Sequence, residues 1–200
     1  MGDKAGDNFC FISILLVFSQ CIRTVRQELA SVSDLRVLDE SLHFELVEPE
    51  QVAYTYKIRP AKDIGISFQR RYTGINLVPA EPYDGCSRIE NHYLIQEQVA
   101  LIQRGGCSFL TKTIQAQNAG AAAVIITDND INNDADYIDM IKDETGRRAA
   151  IPAVYLLGKD GHMIRKALQD YGLVAAVINI PVNITGIPVN RIHQPPWVVW

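Results

Sequence analysis

Residues 93–127 read YLIQEQVALIQRGGCSFLTKTIQAQNAGAAAVIIT, a strand, a glycine turn, a helix and a second strand in succession. Tyr93 to Gln103 is apolar enough for a strand, interrupted at Gln96 to Gln98, and it stops at Arg104-Gly105-Gly106. Ser108 stands at a helix N-cap position. Phe109, Leu110, Thr113, Ile114 and Ala116 then make the packing side of a helix over Phe109 to Asn118, and Gly120 is the residue type that ends helices. Ala121 to Thr127 is a continuous apolar run, the pattern of a strand covered on both faces. The alternation continues C-terminally. Ile151 to Leu157 reads as another buried strand, Asp160 as the cap of a helix carrying Ile164, Ala167, Leu168 and Tyr171, Gly172 as its stop, and Leu173 to Ile180 as a last strand. Short connections between such elements predict a largely parallel α/β layer. Tyr137, Ile138, Met140 and Ile141 suggest a short helix inside the intervening segment. Upstream, Val52, Tyr54, Tyr56 and Ile58 alternate as a strand ended by Pro60, and Gly74 to Val78 is a further short strand. Lacking helices between them, these earlier strands are expected to form a second, mostly antiparallel layer.

Two hundred residues, 48% apolar and 21% charged, allow one domain with extensions. The apolar content excludes a disordered chain, and a net charge of −4 without a basic block gives no electrostatic reason to bind nucleic acid. A second catalytic domain does not fit beside the first, so any chemistry would sit in one core.

At the N-terminus, Phe9 to Phe18 is too short for a bilayer core, which needs about 20 apolar residues. It has the length of a signal-peptide core, and Ser19 and Cys21 supply the small residues of a cleavage site after Cys21. Residues 1–21 are therefore expected to be a signal peptide, 22–45 a polar stem, 46–182 the domain and 183–200 a C-terminal tail, in a protein of the secretory pathway without an integral membrane anchor. Removal of the leader leaves Cys86 and Cys107, which in an oxidising compartment form one bridge stabilising the fold by about 3 kcal/mol. Their spacing, without C-x-x-C, is not that of a zinc site. Asn183-Ile184-Thr185 is an N-glycosylation sequon.

Chemistry-bearing patterns are few. The glycine turn invites a phosphate-binding reading, but Gly105-Gly106-Cys107-Ser108-Phe109-Leu110 matches neither dinucleotide nor P-loop spacing. Asp128, Asp130, Asn132, Asp136 and Asp139 fall at positions 1, 3, 5, 9 and 12 of a calcium-loop register, with Asn133 at the turn position. Yet position 12 lacks the bidentate Glu, and a strand rather than a helix precedes the loop. The bland alternative is a solvated acidic loop. There is no G-x-S-x-G, and His43, His92, His162 and His193 form no ligand pair. No cofactor is implied.

The segment Arg104-Gly105-Gly106-Cys107-Ser108-Phe109-Leu110-Thr111-Lys112, continued by Ala116, by Ala119-Gly120-Ala121 and by Val124-Ile125-Ile126, resembles the core signature of the protease-associated (PA) domain family. Ile151-Pro152-Ala153-Val154-Tyr155 and Asp160-Gly161 resemble that family's closing motif. The resemblance implies an α/β chain with the β/β/α swivelling fold, mixed β layers with helices covering one side. It also implies a non-catalytic role in binding protein or peptide segments. Loops at the strands' carboxyl ends, Thr127 to Asp136 and Leu157 to Asp160, are the expected binding face. Two other readings stay open: a small secreted hydrolase whose site is assembled from distant residues, and a calcium-responsive binding module.

Overall fold

The structure, a computed structural model, describes residues 42–198. The expected signal peptide 1–21, most of the stem and the last two residues lie outside the described part. The elements are β1 (Leu42–Glu48), a 3-10 turn (Glu50–Val52), β2 (Thr55–Pro60), β3 (Tyr72–Pro79), α1 (His92–Ile95), β4 (Val99–Gln103) and α2 (Phe109–Asn118). They continue with β5 (Ala123–Thr127), β6 (Ala153–Leu156), α3 (Gly158–Asp170), β7 (Ala176–Val182) and a 3-10 turn (Val189–Arg191).

The strands close into a barrel in the order β1-β2-β6-β5-β4-β3-β7. The two expected layers are thus one sheet curled on itself, parallel from β3 through β4 and β5 to β6 and antiparallel elsewhere. The central parallel strands are buried throughout, as VALI of β4, AVIIT of β5 and AVYL of β6 require. In β2 the alternation holds, with Tyr56 and Ile58 buried and Lys57 exposed. Leu110 and Ala116 of α2 join Val124, Ile126 and Tyr155 in one core. α2 and α3 both pack against β5.

The helix over Phe109–Asn118 stands where its capping residues predict it, with Ser108 Oγ accepting the Thr111 N–H at 3.1 Å and Gly120 at φ 81°. Five expectations are corrected. Residues 93–103 are not one strand: Tyr93, Leu94 and Ile95 belong to a helical turn, and Glu97 at φ 60° reverses the chain into β4. The buried Asn91 fixes that turn, its amide donating to Pro79 O at 2.9 Å and accepting from the Glu81 N–H at 3.0 Å. Tyr137 to Ile141 form no helix, because Arg59 takes the Tyr137 carbonyl at 3.1 Å and Tyr137 packs edge-on against Tyr155. The last strand begins at Ala176, with Leu173 and Val174 exposed, and does not extend the parallel layer. It crosses the barrel to pair antiparallel with β1 and β3. β1 begins at Leu42, inside the segment expected as stem, where Leu42, Phe44 and Leu46 alternate inward. Finally, Asp160 is no cap: α3 starts at Gly158 with Leu157 before it, and Asp160 lies in the first turn, buried. Gly158 allows that start, since a Cβ there would come within 1.8 Å of Asp130 O.

Candidate functional site

The glycine-rich turn after β4 and the opening of α2 form a closed cluster. Cys86 and Cys107 are bridged, with Cα atoms 5.7 Å apart. Gly105 and Gly106 take φ values of 106° and 78°, which side-chain-bearing residues rarely adopt, and a Cβ on Gly106 would sit 3.0 Å from Cys86 Sγ. Lys112 is fully buried beneath them. Its ammonium donates to the carbonyls of Asp84 and Gly105 and lies 3.3 Å from Cys86 Sγ. Burial lowers the titration of this lysine, with the Asp84 charge acting against that shift. Ser108 donates to Asp143 Oδ2 at 2.6 Å, and this bond with that from Thr145 holds the Asp143 carboxyl far below its usual range. The other motif residues pack. Phe109 lies against the core, Ala116 and Ala121 are buried, Ala119 and Gly120 turn the chain out of α2, and Pro152 O accepts the Val124 N–H at 2.9 Å. Gly161 is set so close to β5 that a Cβ would reach 2.0 Å from Thr127 Oγ1.

The structure disperses the residues of the calcium register. Asp128 is buried and spent: Arg104 donates at 2.9 Å, Asn133 at 2.7 Å and the Asn129 N–H at 2.8 Å. Burial would raise its titration, and these bonds outweigh it and hold the carboxyl below its usual range. Above it the Tyr155 hydroxyl is buried without a well-formed hydrogen bond, its own titration raised by burial and by the Asp128 charge. Asp130 accepts the Asn132 N–H, Asn132 and Asp136 are exposed, and Asp139 is paired with Arg59 at 3.1 Å and Lys62 at 2.7 Å. No group of three His, Cys, Asp or Glu side chains gathers for a metal among the described residues.

The two loops expected as a binding face do meet. They border a cleft of about 220 Å³ whose walls include Tyr56, Lys57, Asp134, Tyr137, Leu157 and Asp160. Asp160 is 3% exposed, and burial, followed by the Asp134 charge, pushes its carboxyl up to about 6 against the opposing Trp197 hydrogen bond and Lys159 charge. The Trp197 indole N–H donates to Asp160 Oδ1 at 2.8 Å. Trp197 also meets Tyr54 edge-on at 5.6 Å, and Pro195 of the same tail is buried. Lys159 pairs with Asp134 at 2.8 Å on the rim. The sequence placed Asp160 in a motif but gave no sign of its partner, because the contact joins residues 37 apart. Asn183 of the sequon is exposed, its side chain accepting the Thr185 N–H at 2.8 Å.

Comparison with known proteins defines the class. The PA domain family's sequence profile matches residues 74–164. "PRADC1-like protein" of Drosophila melanogaster is 41% identical over 192 residues, covering 95% of this chain and 98% of that protein. The chain belongs to the protease-associated (PA) domain family. This agrees with the likeness of Pro60–Asp63, Leu77–Pro82 and Gln194–Trp197 to protease-associated domain-containing protein 1. "ER degradation-enhancing alpha-mannosidase-like protein 3" of Xenopus laevis is 34% identical over 104 residues, which make up 50% of this chain and 11% of that protein. "Signal peptide peptidase-like 2" of Arabidopsis thaliana is 32% identical over 118 residues, 58% of this chain and 21% of that protein. This chain therefore spans nearly all of the first relative and a small part of the other two. No helix among the described residues is long and apolar enough to cross a membrane.

Proposed function

We propose that this protein is a secreted, N-glycosylated PA domain that recognises segments of other proteins and performs no chemistry on them. The observation that carries this reading is what the relatives share. A mannosidase-like protein and a peptidase-like protein match this chain over a small fraction of their own length, whereas a protein of similar size matches it almost end to end. What proteins of unlike names hold in common is the domain, and function on such a shared fold resides in its surface sites. The Cys86–Cys107 bridge supports an oxidising compartment. Residues 1–21 would be the leader and 22–45 the stem, shortened where β1 begins. The PA domain, expected over 46–182, would then start with β1 at Leu42, and 183–200 would be the tail, with the glycan on Asn183. The binding partner is a protein or peptide, without cofactor or nucleic acid.

Expression of the full chain in secreting cells tests this. The protein is expected in the medium, cleaved near Cys21, with a mobility shift removed by glycosidase and by Asn183→Gln. The purified protein should leave peptide, ester and glycoside panels unturned. Wholly intracellular, unshifted protein, or turnover that survives purification, overturns the reading.

A further inference from the structure

We propose that the cleft at Asp160 is a recognition site for proline-tryptophan segments of partner proteins, held closed in this structure by the protein's own tail. The inference rests on the interaction reading above and names its site and ligand class.

The tail reaches the barrel through His193, whose carbonyl accepts the Thr55 N–H at 2.7 Å and whose ring N–H donates to Ala53 O at 2.8 Å. From Gln194 onward it adds no strand to the sheet. It holds on by side chains: Pro195 is buried, Trp197 lies against Tyr54, and its indole N–H meets Asp160. The main-chain bond from Val198 N to Pro195 O stays within the tail. This is how proline-rich ligands dock in aromatic grooves, where a stiff segment loses little entropy and one polar bond fixes its register. Tryptophan is one of the residue types enriched among those that carry most of the energy of protein interfaces.

Three features mark the tail as a displaceable ligand rather than a staple. A buried carboxylate is a costly way to fasten an apolar segment, since an aliphatic side chain would pack there without desolvating a charge. Its worth lies in selecting an N–H donor. The tail also borders, with Tyr56, Tyr137 and Leu157, a cleft of about 220 Å³ and does not occupy all of the groove. Lastly, the connection from Asn183 to Arg191 is mostly exposed and carries one 3-10 turn, so releasing the tail gives up little structure. A partner segment competes with a tethered one, and the tether acts as a local concentration of about millimolar.

The probe is a fluorescein-labelled peptide of residues 194–199, Gln-Pro-Pro-Trp-Val-Val. It is expected to bind full-length Trp197→Ala protein saturably, and wild-type protein at least about tenfold more weakly because of the tether. Adding Asp160→Ala to Trp197→Ala should abolish binding, adding Asp160→Asn should retain it, and the peptide with Ala for Trp should not bind. Equal binding to wild type and to the Asp160→Ala double variant, or none to folded Trp197→Ala, overturns the proposal. Should Trp197→Ala not fold, wild-type protein carrying 5-fluorotryptophan and Trp200→Phe gives a second reading. Millimolar peptide should move the Trp197 fluorine resonance to its free position, and an unmoved resonance overturns the proposal. A random peptide library on the same protein separates the two levels. Binders insensitive to Asp160→Ala sink the groove and spare the interaction reading, whereas no binders at all sink both.

Discussion

The turn around Lys112 and the cleft around Asp160 each bury a charged side chain, and they treat that charge in opposite ways. Lys112 is surrounded by groups that cannot leave: two backbone carbonyls and a disulfide sulfur, all in the same knot of chain. Asp160 is met by one indole on a terminal segment. The first arrangement is closed and serves the fold. The second is completed by a removable part, which is the property of a site. Conspicuous sequence motifs in this protein therefore mark scaffold at one end and recognition at the other.

The comparison is broken most directly by Lys112→Met. Removing the ammonium takes a charge-assisted hydrogen bond from each of the Asp84 and Gly105 carbonyls, and at about 2 kcal/mol for each bond the loss comes to about 4 kcal/mol. Urea denaturation at neutral pH measures it. A variant as stable as wild type would mean that Lys112 is dispensable to the fold and free for another role. Next in size is the Cys86→Ser, Cys107→Ser pair. The bridge spans 21 residues, and reopening that loop in the unfolded chain costs about 3 kcal/mol. The pair should lower the denaturation midpoint and leave peptide binding in the cleft of the Trp197→Ala background within about twofold, because disulfide and cleft share no residue. Loss of both properties together would join the two regions into one unit.

How much of this could be read from sequence follows the distance over which each feature is encoded. Helix α2 was legible to the residue because Ser108, the apolar positions Phe109, Leu110 and Ile114, and Gly120 are all local. The apolar residues at 137–141 have helical spacing too, but Arg59, far upstream, claims the Tyr137 carbonyl and Asp139, and the segment stays irregular. β7 was legible as a strand and not as a neighbour of β1 and β3, since pairing is set by barrel closure. The calcium register matched in spacing while its end residues, Asp128 and Asp139, were matched by cations from β2 and from the turns after β2 and β4. In the same way Gln194-Pro195-Pro196-Trp197 is conspicuous as a string but silent about where it docks. Asp160 stood in the motif, and its role needed the tail to be folded back upon it.

The smallest expected effect bears most sharply on the comparison, because it has an unusual sign. The Asp160 carboxyl titrates near 6 in the folded protein and near 3.8 in the unfolded chain, so between those values the folded state binds more protons. Its contribution to stability is fully present below about pH 4 and is lost as pH rises through about 6. The shift of roughly two units corresponds to at most about 3 kcal/mol at neutral pH. Asp160→Asn keeps an oxygen to accept from Trp197 and removes the charge. It should therefore match wild type near pH 3.5 and exceed it in stability increasingly up to pH 7. Many other carboxylates titrate in this range, so the quantity to measure is the difference between the two proteins in urea denaturation at each pH. If the difference does not vary with pH, Asp160 is not a desolvated carboxylate. If it grows as expected, the protein carries a charge its fold would be more stable without, and the indole that meets that charge is the clearest sign of what the cleft is shaped to hold.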